Sequence, residues 1–362
     1  MESLAQRLLQ WYDRNGRHDL PWQHPRTPYR TWVAEIMLQQ TTVATVVPYF
    51  RRFLDTFPDL DTLAAADPDR VLSLWSGLGY YARGRNLHAA AQRIRDDHGG
   101  EFPRTREALE ALPGIGRSTA AAILAQAFGL RHPILDGNVK RVLSRLRTVP
   151  GWPGSSRTSR ALWTLAEELT PHQRVADYTQ AIMDLGATCC TRNRPDCSAC
   201  PWRADCAAHR QGRVTEFPAP RPRPSSPRRR RAITLLLLRD DAGQLLLEQR
   251  PPSGIWGGLR GFPEIAGDDD LETLSRRLGG TITIEGELPP LTHALSHFDM
   301  VITPVLGHLH GTGRRCMDGA GQFWYKAGAE LSFGVAAPVR DLLDRLADTD
   351  DQEATWLEWC NA

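Results

Sequence analysis

The sequence predicts two domains of different class: a mainly α domain over residues 1–215 and an α+β domain over residues 232–362, joined by a linker at 216–231. Three observations lead there. Apolar residues recur at helical spacing through about the first 130 positions. From Ile233 onward the pattern changes to short apolar runs of strand length. Between the two, Pro218 to Pro227 alternates proline with alanine, arginine and serine, and four arginines follow at 228–231. Proline makes this an extended, semi-rigid spacer. Its six arginines either suit nucleic acid or keep a linker solvated. A length of 362 residues agrees with two domains, each able to bury a core.

Taken in order, Ser3 to Asn15 reads as the first helix, and Pro28 to Thr42, with Thr27 as N-cap, as the second. Trp32, Val33, Ile36 and Met37 form its apolar stripe. Glu35 lies on the flank of that stripe, roughly 60° from Trp32 at 100° per residue. There it is either a solvated edge residue or, facing a cleft, an acid whose proton burial retains. Gln39-Gln40-Thr41-Thr42 gives this helix a polar end, either exposed or able to wedge into a base stack. Further helices fit Val46 to Thr56, Pro68 to Trp75 and Ala82 to His98. Gly77-Leu78-Gly79-Tyr80-Tyr81 precedes the last, with Tyr81 suited to the core and Tyr80 to stacking on a base.

The chain is organised around Leu112 to Val142. In Leu112-Pro113-Gly114-Ile115-Gly116, proline ends one helix and the glycines let main-chain amides approach a ligand closely. The alanine-rich helix Arg117 to Phe128 follows, its N-terminal amides directed back at that turn. Such a turn is either an ordinary helix-helix connection or an anion site fitted to a phosphodiester. Asp136, followed by Gly137 and Asn138, is either a helix cap or a carboxylate held where positive charge develops.

Four cysteines, Cys190, Cys197, Cys200 and Cys206, are spaced x6, x2, x5 within the loop 189–206 and indicate a metal site. Zinc and a four-iron cluster both accept four thiolates, and the uneven spacing favours iron and sulfur. Cys189 reads as a buried thiol, while Arg192, Arg194 and Arg203 make the loop positive and suited to a phosphate backbone. Residues 1–231 hold 34 Lys+Arg against 22 Asp+Glu, and residues 232–362 hold 10 against 20, so the first part has the charge of a polyanion binder. No apolar run reaches the roughly 18 residues that span a bilayer, and Met1 to Trp11 lacks a signal-peptide core. A cytoplasmic protein without membrane association is expected.

In the second part, Ile233 to Leu238 and Gln244 to Gln249 flank the hairpin signal Asp240-Asp241-Ala242-Gly243. Strands also fit Thr281 to Glu285 and Met300 to Leu309, with helices near Leu271 to Leu278 and Val339 to Leu346.

These motifs together resemble the MutY family of adenine DNA glycosylases, within the helix-hairpin-helix superfamily that also holds endonuclease III. The resemblance is dense at Leu20-Pro21-Trp22, Trp32 to Thr41, Gly77 to Tyr81, Leu112 to Ala120, Asp136 to Val142 and the cysteine loop. It implies a helix-hairpin-helix glycosylase domain with a [4Fe-4S] cluster loop, followed by a Nudix-like domain. It also implies base-excision repair of double-stranded DNA, removing adenine mispaired with 8-oxoguanine or, more weakly, guanine. A monomer is expected. Glu35 would be the catalytic acid/base and Asp136, with Asn138, the stabiliser of the sugar cation. Gln40, Thr41, Tyr80, Gly114, Gly116, Arg117 and Ser118 would contact DNA; Trp22 and Gln180 would line the adenine pocket. Gln23 stands where some relatives have arginine. Ser118 occupies the position of the lyase relatives' Schiff-base lysine and cannot form an imine. Strand cleavage should therefore be absent, or weak if Lys140 traps the abasic aldehyde.

Ile255 to Leu259 and Phe262-Pro263-Glu264 resemble the family's Nudix-like domain. A working Nudix motif, Gly-x5-Glu-x7-Arg-Glu-x2-Glu-Glu, is met at Gly258 and Glu264, but Glu272-Thr273 and Arg276-Arg277 depart from it. Pyrophosphatase activity is not expected. Ser296 and His297 match the family's contact to the oxidised base, with Leu295 in place of its phenylalanine.

Overall fold

The computed structural model describes residues 2–222, 228–265, 271–295, 297–311 and 321–347. The chain forms two compact units, one of residues 1–65 and 86–224, the other of residues 66–85 and 225–362. This division differs from a single break in the linker, because residues 66–85 pack with the C-terminal unit.

Helices run in order as α1 (Leu4–Asn15), α2 (Pro28–Leu38), α3 (Val43–Thr56), α4 (Leu60–Ala65), α5 (Pro68–Trp75) and α6 (Ala82–His98). They continue as α7 (Arg106–Glu110), α8 (Arg117–Phe128), α9 (Gly137–Arg147), α10 (Ser156–Leu169), α11 (Val175–Asp184) and α12 (Ala207–Arg210). In the first unit α8 is the centre, buried on every side from Thr119 to Gln126 and packed against α2 and α11. Such burial suits a helix made almost wholly of small and apolar side chains.

The second helix is shorter than its sequence suggests. It stops at Leu38 because Gln40 takes a left-handed backbone, φ 63°. Thr42 then caps α3 by accepting the Thr45 N–H at 3.4 Å, so Gln39 to Thr42 is a turn between helices.

The second unit holds strands β1 (Arg229–Arg239), β2 (Leu245–Gln249), β3 (Arg260–Gly261), β4 (Glu264–Ile265), β5 (Thr281–Glu287), β6 (Leu291–Ala294), β7 (Phe298–His310) and β8 (Gln322–Tyr325). Its helices α13 (Leu271–Leu278) and α14 (Ala337–Ala347) complete the mixed α+β architecture. The sheet path is β3-β2-β1-β7-β5, with β1 and β7 parallel and in register from Arg229–Phe298 to Arg239–His308. Alternate leucines of β1 face opposite ways: Leu235 and Leu237 pack with Val339, Leu342 and Leu343 of α14, Leu236 and Leu238 with Leu274 and Leu278 of α13. A strand covered on both faces reads as an unbroken apolar run. Arg229 to Arg231 belong to β1 and pair with Phe298, Asp299 and Met300, so the extended spacer ends earlier than 231.

Candidate active site

Glu35 sits where α2 meets a cleft. Thr27 accepts the Arg30 N–H at 3.2 Å and Pro28 opens the helix, while Trp32, Val33, Ile36 and Met37 are buried and fix its rotation. The flank carrying Glu35 then opens onto a cleft of about 560 Å³. Trp22, Thr41, Ser118, Asp136, Asn138 and Gln180 share its walls, bringing together side chains from opposite ends of the unit. The Gln126 amide donates to Glu35 Oε1 at 3.4 Å.

Asp136 both caps a helix and faces the cleft. Its Oδ1 accepts the Val139 N–H at 2.7 Å, as the N-cap of α9, and its Oδ2 accepts from Asn138 Nδ2 at 3.3 Å. The two acids hold protons differently. Burial first, and the Asp136 charge second, push the Glu35 pKa up to about 8. Burial raises Asp136 too, but the amides of Val139 and Asn138, Arg141 and the Asn138 side chain oppose it. Of the two acids sharing the cleft, Glu35 is the one whose shift, to about 8, keeps a proton at neutral pH.

Gln180 is oriented by residues that sequence reasoning passed over. Asp184, 0% exposed, accepts from the Arg17 guanidinium at 2.5 Å and the Arg17 backbone N–H at 2.7 Å. It also accepts from Gln180 Nε2 at 2.8 Å, which commits the amide nitrogen and leaves Oε1 as the acceptor end. An aspartate inside the apolar run Ala181-Ile182-Met183-Asp184-Leu185 was the available signal. Gln39, from the polar end of the second helix, lines the cleft and donates to the Gly114 carbonyl and Thr119 Oγ1, both at 3.4 Å.

Gly114, at φ 77°, makes the turn that ends at Gly116, the N-cap of α8. A Cβ on Gly114 would meet Asn86 Cβ at 2.9 Å. Arg117 stacks on Trp163, 3.8 Å from guanidinium carbon to ring centroid. Ser118 Oγ accepts the Leu135 N–H at 3.3 Å, linking the turn to the strand of chain that ends in Asp136. Gln40 is exposed in the turn after α2. Tyr80 belongs to the other unit, 49% exposed, with a positive φ of 48° and the Arg83 guanidinium 5.6 Å from its ring centroid.

Cys190, Cys197, Cys200 and Cys206 line a small cavity together with Cys189 and Arg145. Arg145, 3% exposed on α9, binds this loop throughout. It donates to the carbonyls of Thr191 at 2.7 Å and Arg192 at 3.0 Å, and to Cys190 Sγ at 3.3 Å. Arg141 adds the carbonyls of Cys190 and Gly186 at 2.8 and 2.7 Å and reaches Asn138 Oδ1 at 2.8 Å. A guanidinium aimed at a sulfur and a ring of anchored carbonyls fit a loop of negatively charged thiolates.

In the second unit, Leu295 to Phe298 closes the turn from β6 to β7, with the Leu295 N–H donating to the Phe298 carbonyl at 3.0 Å. His297 is exposed there, and Ser296 lies outside the described residues. Glu264 pairs with Arg250 at 2.7 Å, and Arg277 of α13 pairs with Glu248 at 2.7 Å.

The helical unit and its cleft define a class: residues 33–168 match the HhH-GPD superfamily of base excision DNA repair proteins. Residues 234–345 match the NUDIX domain. The chain belongs to the MutY family of adenine DNA glycosylases, enzymes that excise adenine from DNA. It is 34% identical over 340 residues to an adenine DNA glycosylase of Buchnera aphidicola from Acyrthosiphon pisum, covering 94% of this chain and 96% of that one. Against the adenine DNA glycosylase of Homo sapiens it is 39% identical over 321 residues, 75% of this chain and 58% of the human protein. Among solved structures, a thermostable thymine-DNA glycosylase aligns with a TM-score of 0.51 and 29% identity, covering 57% of this chain and 95% of that chain.

Proposed function

We propose that this glycosylase hydrolyses the N-glycosidic bond of adenine mispaired with 8-oxoguanine, and more weakly with guanine, leaving an abasic site and an uncut strand. The observation that carries the chemistry is the pairing of Glu35 and Asp136 in one cleft with their proton affinities set apart. Adenine leaves poorly until N7 is protonated, which Glu35 does as general acid. Cleavage leaves an oxocarbenium ion, which the Asp136 carboxylate stabilises while Asn138 holds its second oxygen. Gln180 Oε1 receives a donor such as the adenine amino group, and Trp22 walls the pocket.

The target base is extruded from the duplex, at a cost of a few kcal/mol that a mispair lowers. Amides at the α8 N-terminus, with Gly114, Gly116 and Arg117, hold backbone phosphate. Gln40, Thr41 and Tyr80 contact DNA. Ser118 supports a hydrolytic outcome, since it offers no amine. His297 and Ser296 read the oxidised guanine. Acting as a soluble monomer in the cytoplasm, the enzyme would need no membrane.

Cys190, Cys197, Cys200 and Cys206 would hold a [4Fe-4S] cluster, which ties a positive loop to α9. Iron and sulfide at about four each per chain, with visible charge-transfer absorption, are expected; one zinc instead would overturn the assignment.

The deciding assay incubates the protein with duplexes carrying adenine opposite 8-oxoguanine, or thymine glycol opposite adenine, with and without alkali. Cleavage of the first duplex only after alkali is expected. Nicking of the second without alkali would instead make this a lyase on oxidised pyrimidines.

A further inference from the structure

We propose that Asp241, His308 and His310 form a binding site for a divalent transition-metal ion of the zinc type, separate from the cysteine loop. His308 and His310 are two residues apart on β7 and so point to one face of the sheet. Their rings stack with centroids 4.0 Å apart. The parallel register that places Arg239 beside His308 carries the following β1–β2 turn to the same end of the sheet. Asp240 holds that turn by accepting the N–H groups of Ala242 at 3.0 Å and Gln244 at 2.7 Å. The neighbouring carboxylate is thereby directed at the histidines: Asp241 Oδ1 is 3.6 Å from His308 Nε2 and 3.8 Å from His310 Nδ1.

Those distances are too long for hydrogen bonds. They are close to the edge of a tetrahedron, about 3.3 Å, that ligands make around a zinc ion at 2.0–2.1 Å. One ligand atom from each of the three residues lies within 4.8 Å of the others. The His308 side chain is only 15% exposed, and its Nε2, with Asp241 beyond hydrogen-bond reach, faces the carboxylate. The site therefore rests on the proximity of the three ligand atoms. Arg239, in register with His308, is paired with Glu285 at 3.2 Å, so its charge is offset.

Two imidazoles and one carboxylate select zinc, cobalt, nickel or copper over magnesium, which prefers an oxygen shell. A fourth position remains for water. The ion would clamp the β1–β2 turn to the end of β7. This assignment stands independently of the glycosylase reading.

The test uses the full chain with its cysteine loop intact, treated with chelator and then titrated with zinc chloride by calorimetry at pH 7.5. Wild type should take up one more equivalent of zinc than the His308→Gln/His310→Gln double variant. Asp241→Asn should weaken that site by about tenfold or more. Excess magnesium should not compete. Because His308 is mostly buried, the single variants His310→Gln and Asp241→Asn serve as the fold-neutral check; their side chains are 49% and 85% exposed. Equal zinc uptake by wild type and all variants, or displacement by magnesium, would overturn the assignment.

Discussion

Glu35 draws its proton affinity from its surroundings, which makes its behaviour with pH predictable. With its pKa pushed up to about 8, the acid is protonated at neutral pH and loses its proton as pH rises through that value. The excision rate under single-turnover conditions should therefore fall on the alkaline side with an apparent pKa near 8. Glu35→Gln should still bind the mispaired duplex while losing at least about 10² in rate; a variant turning over at the wild-type rate would remove Glu35 from the chemistry. The same shift acts on stability. Near pH 4 and below, the carboxyl is protonated in both folded and unfolded chains and contributes little. Between 4.5 and 8 the unfolded chain releases the proton and the folded one keeps it, so stability falls as pH rises. Glutamine is neutral throughout. Glu35→Gln should exceed wild type by about 1–3 kcal/mol at pH 7.5 and by almost nothing at pH 4, measured by reversible thermal or urea unfolding.

Helix α9 joins the cleft of Glu35 and Asp136 to the cysteine loop. Its N-cap is Asp136, its second turn carries Arg141, and Arg145 lies a turn further on, hydrogen-bonded to the cysteine loop. Asparagine caps helices as well as aspartate. Asp136→Asn should therefore keep stability within about 0.5 kcal/mol while losing roughly 10²–10³ in rate for want of the charge. Equal losses of stability and rate would make Asp136 a cap and nothing more. Arg145→Ala takes their donor from the carbonyls of Thr191, Arg192 and Phe217, and should lower unfolding stability by about 3 kcal/mol. Iron content measured after purification should fall with it, and Arg145→Lys should restore neither, because an ammonium cannot reach the carbonyls that a planar fork spans. Much of this element was legible in advance. Asp136-Gly137-Asn138 marked the helix start, Leu112 to Gly116 marked the turn, and the four cysteines marked the loop. Arg145 was not, because an arginine on an amphipathic helix reads as surface until long-range contacts bury it. The Arg17–Asp184 pair spans 167 positions and leaves no local pattern. Gln39 to Thr42 read as more helix because glutamine and threonine are compatible with one; only the left-handed turn at Gln40 ends it.

At the scale of the whole chain, charge divides between the two parts of the sequence. Residues 1–231 carry the excess of Lys and Arg, and residues 232–362 the excess of Asp and Glu. Duplex affinity supplied by the basic part should fall steeply with salt, by about 10³ or more between 50 and 200 mM if six phosphates are neutralised. Residues 232–362, acidic overall, are not expected to add to that attraction, and under the proposed function they contribute discrimination. The turn between β6 and β7 is built for display: Leu295 and Phe298 close it, Arg228 donates to the Leu295 carbonyl and pairs with Asp299 at 2.6 Å, and His297 stays exposed. His297→Ala removes a hydrogen-bonding group without disturbing those braces. It should lower the preference for adenine opposite 8-oxoguanine over adenine opposite guanine by about tenfold, the worth of one hydrogen bond of 1–1.5 kcal/mol. Excision from the guanine mispair should be unchanged, because Glu35 and Asp136 are untouched. Side-by-side single-turnover rates on the two duplexes decide it: an unaltered ratio takes lesion reading away from His297, and a parallel loss on both duplexes assigns the histidine to general DNA binding.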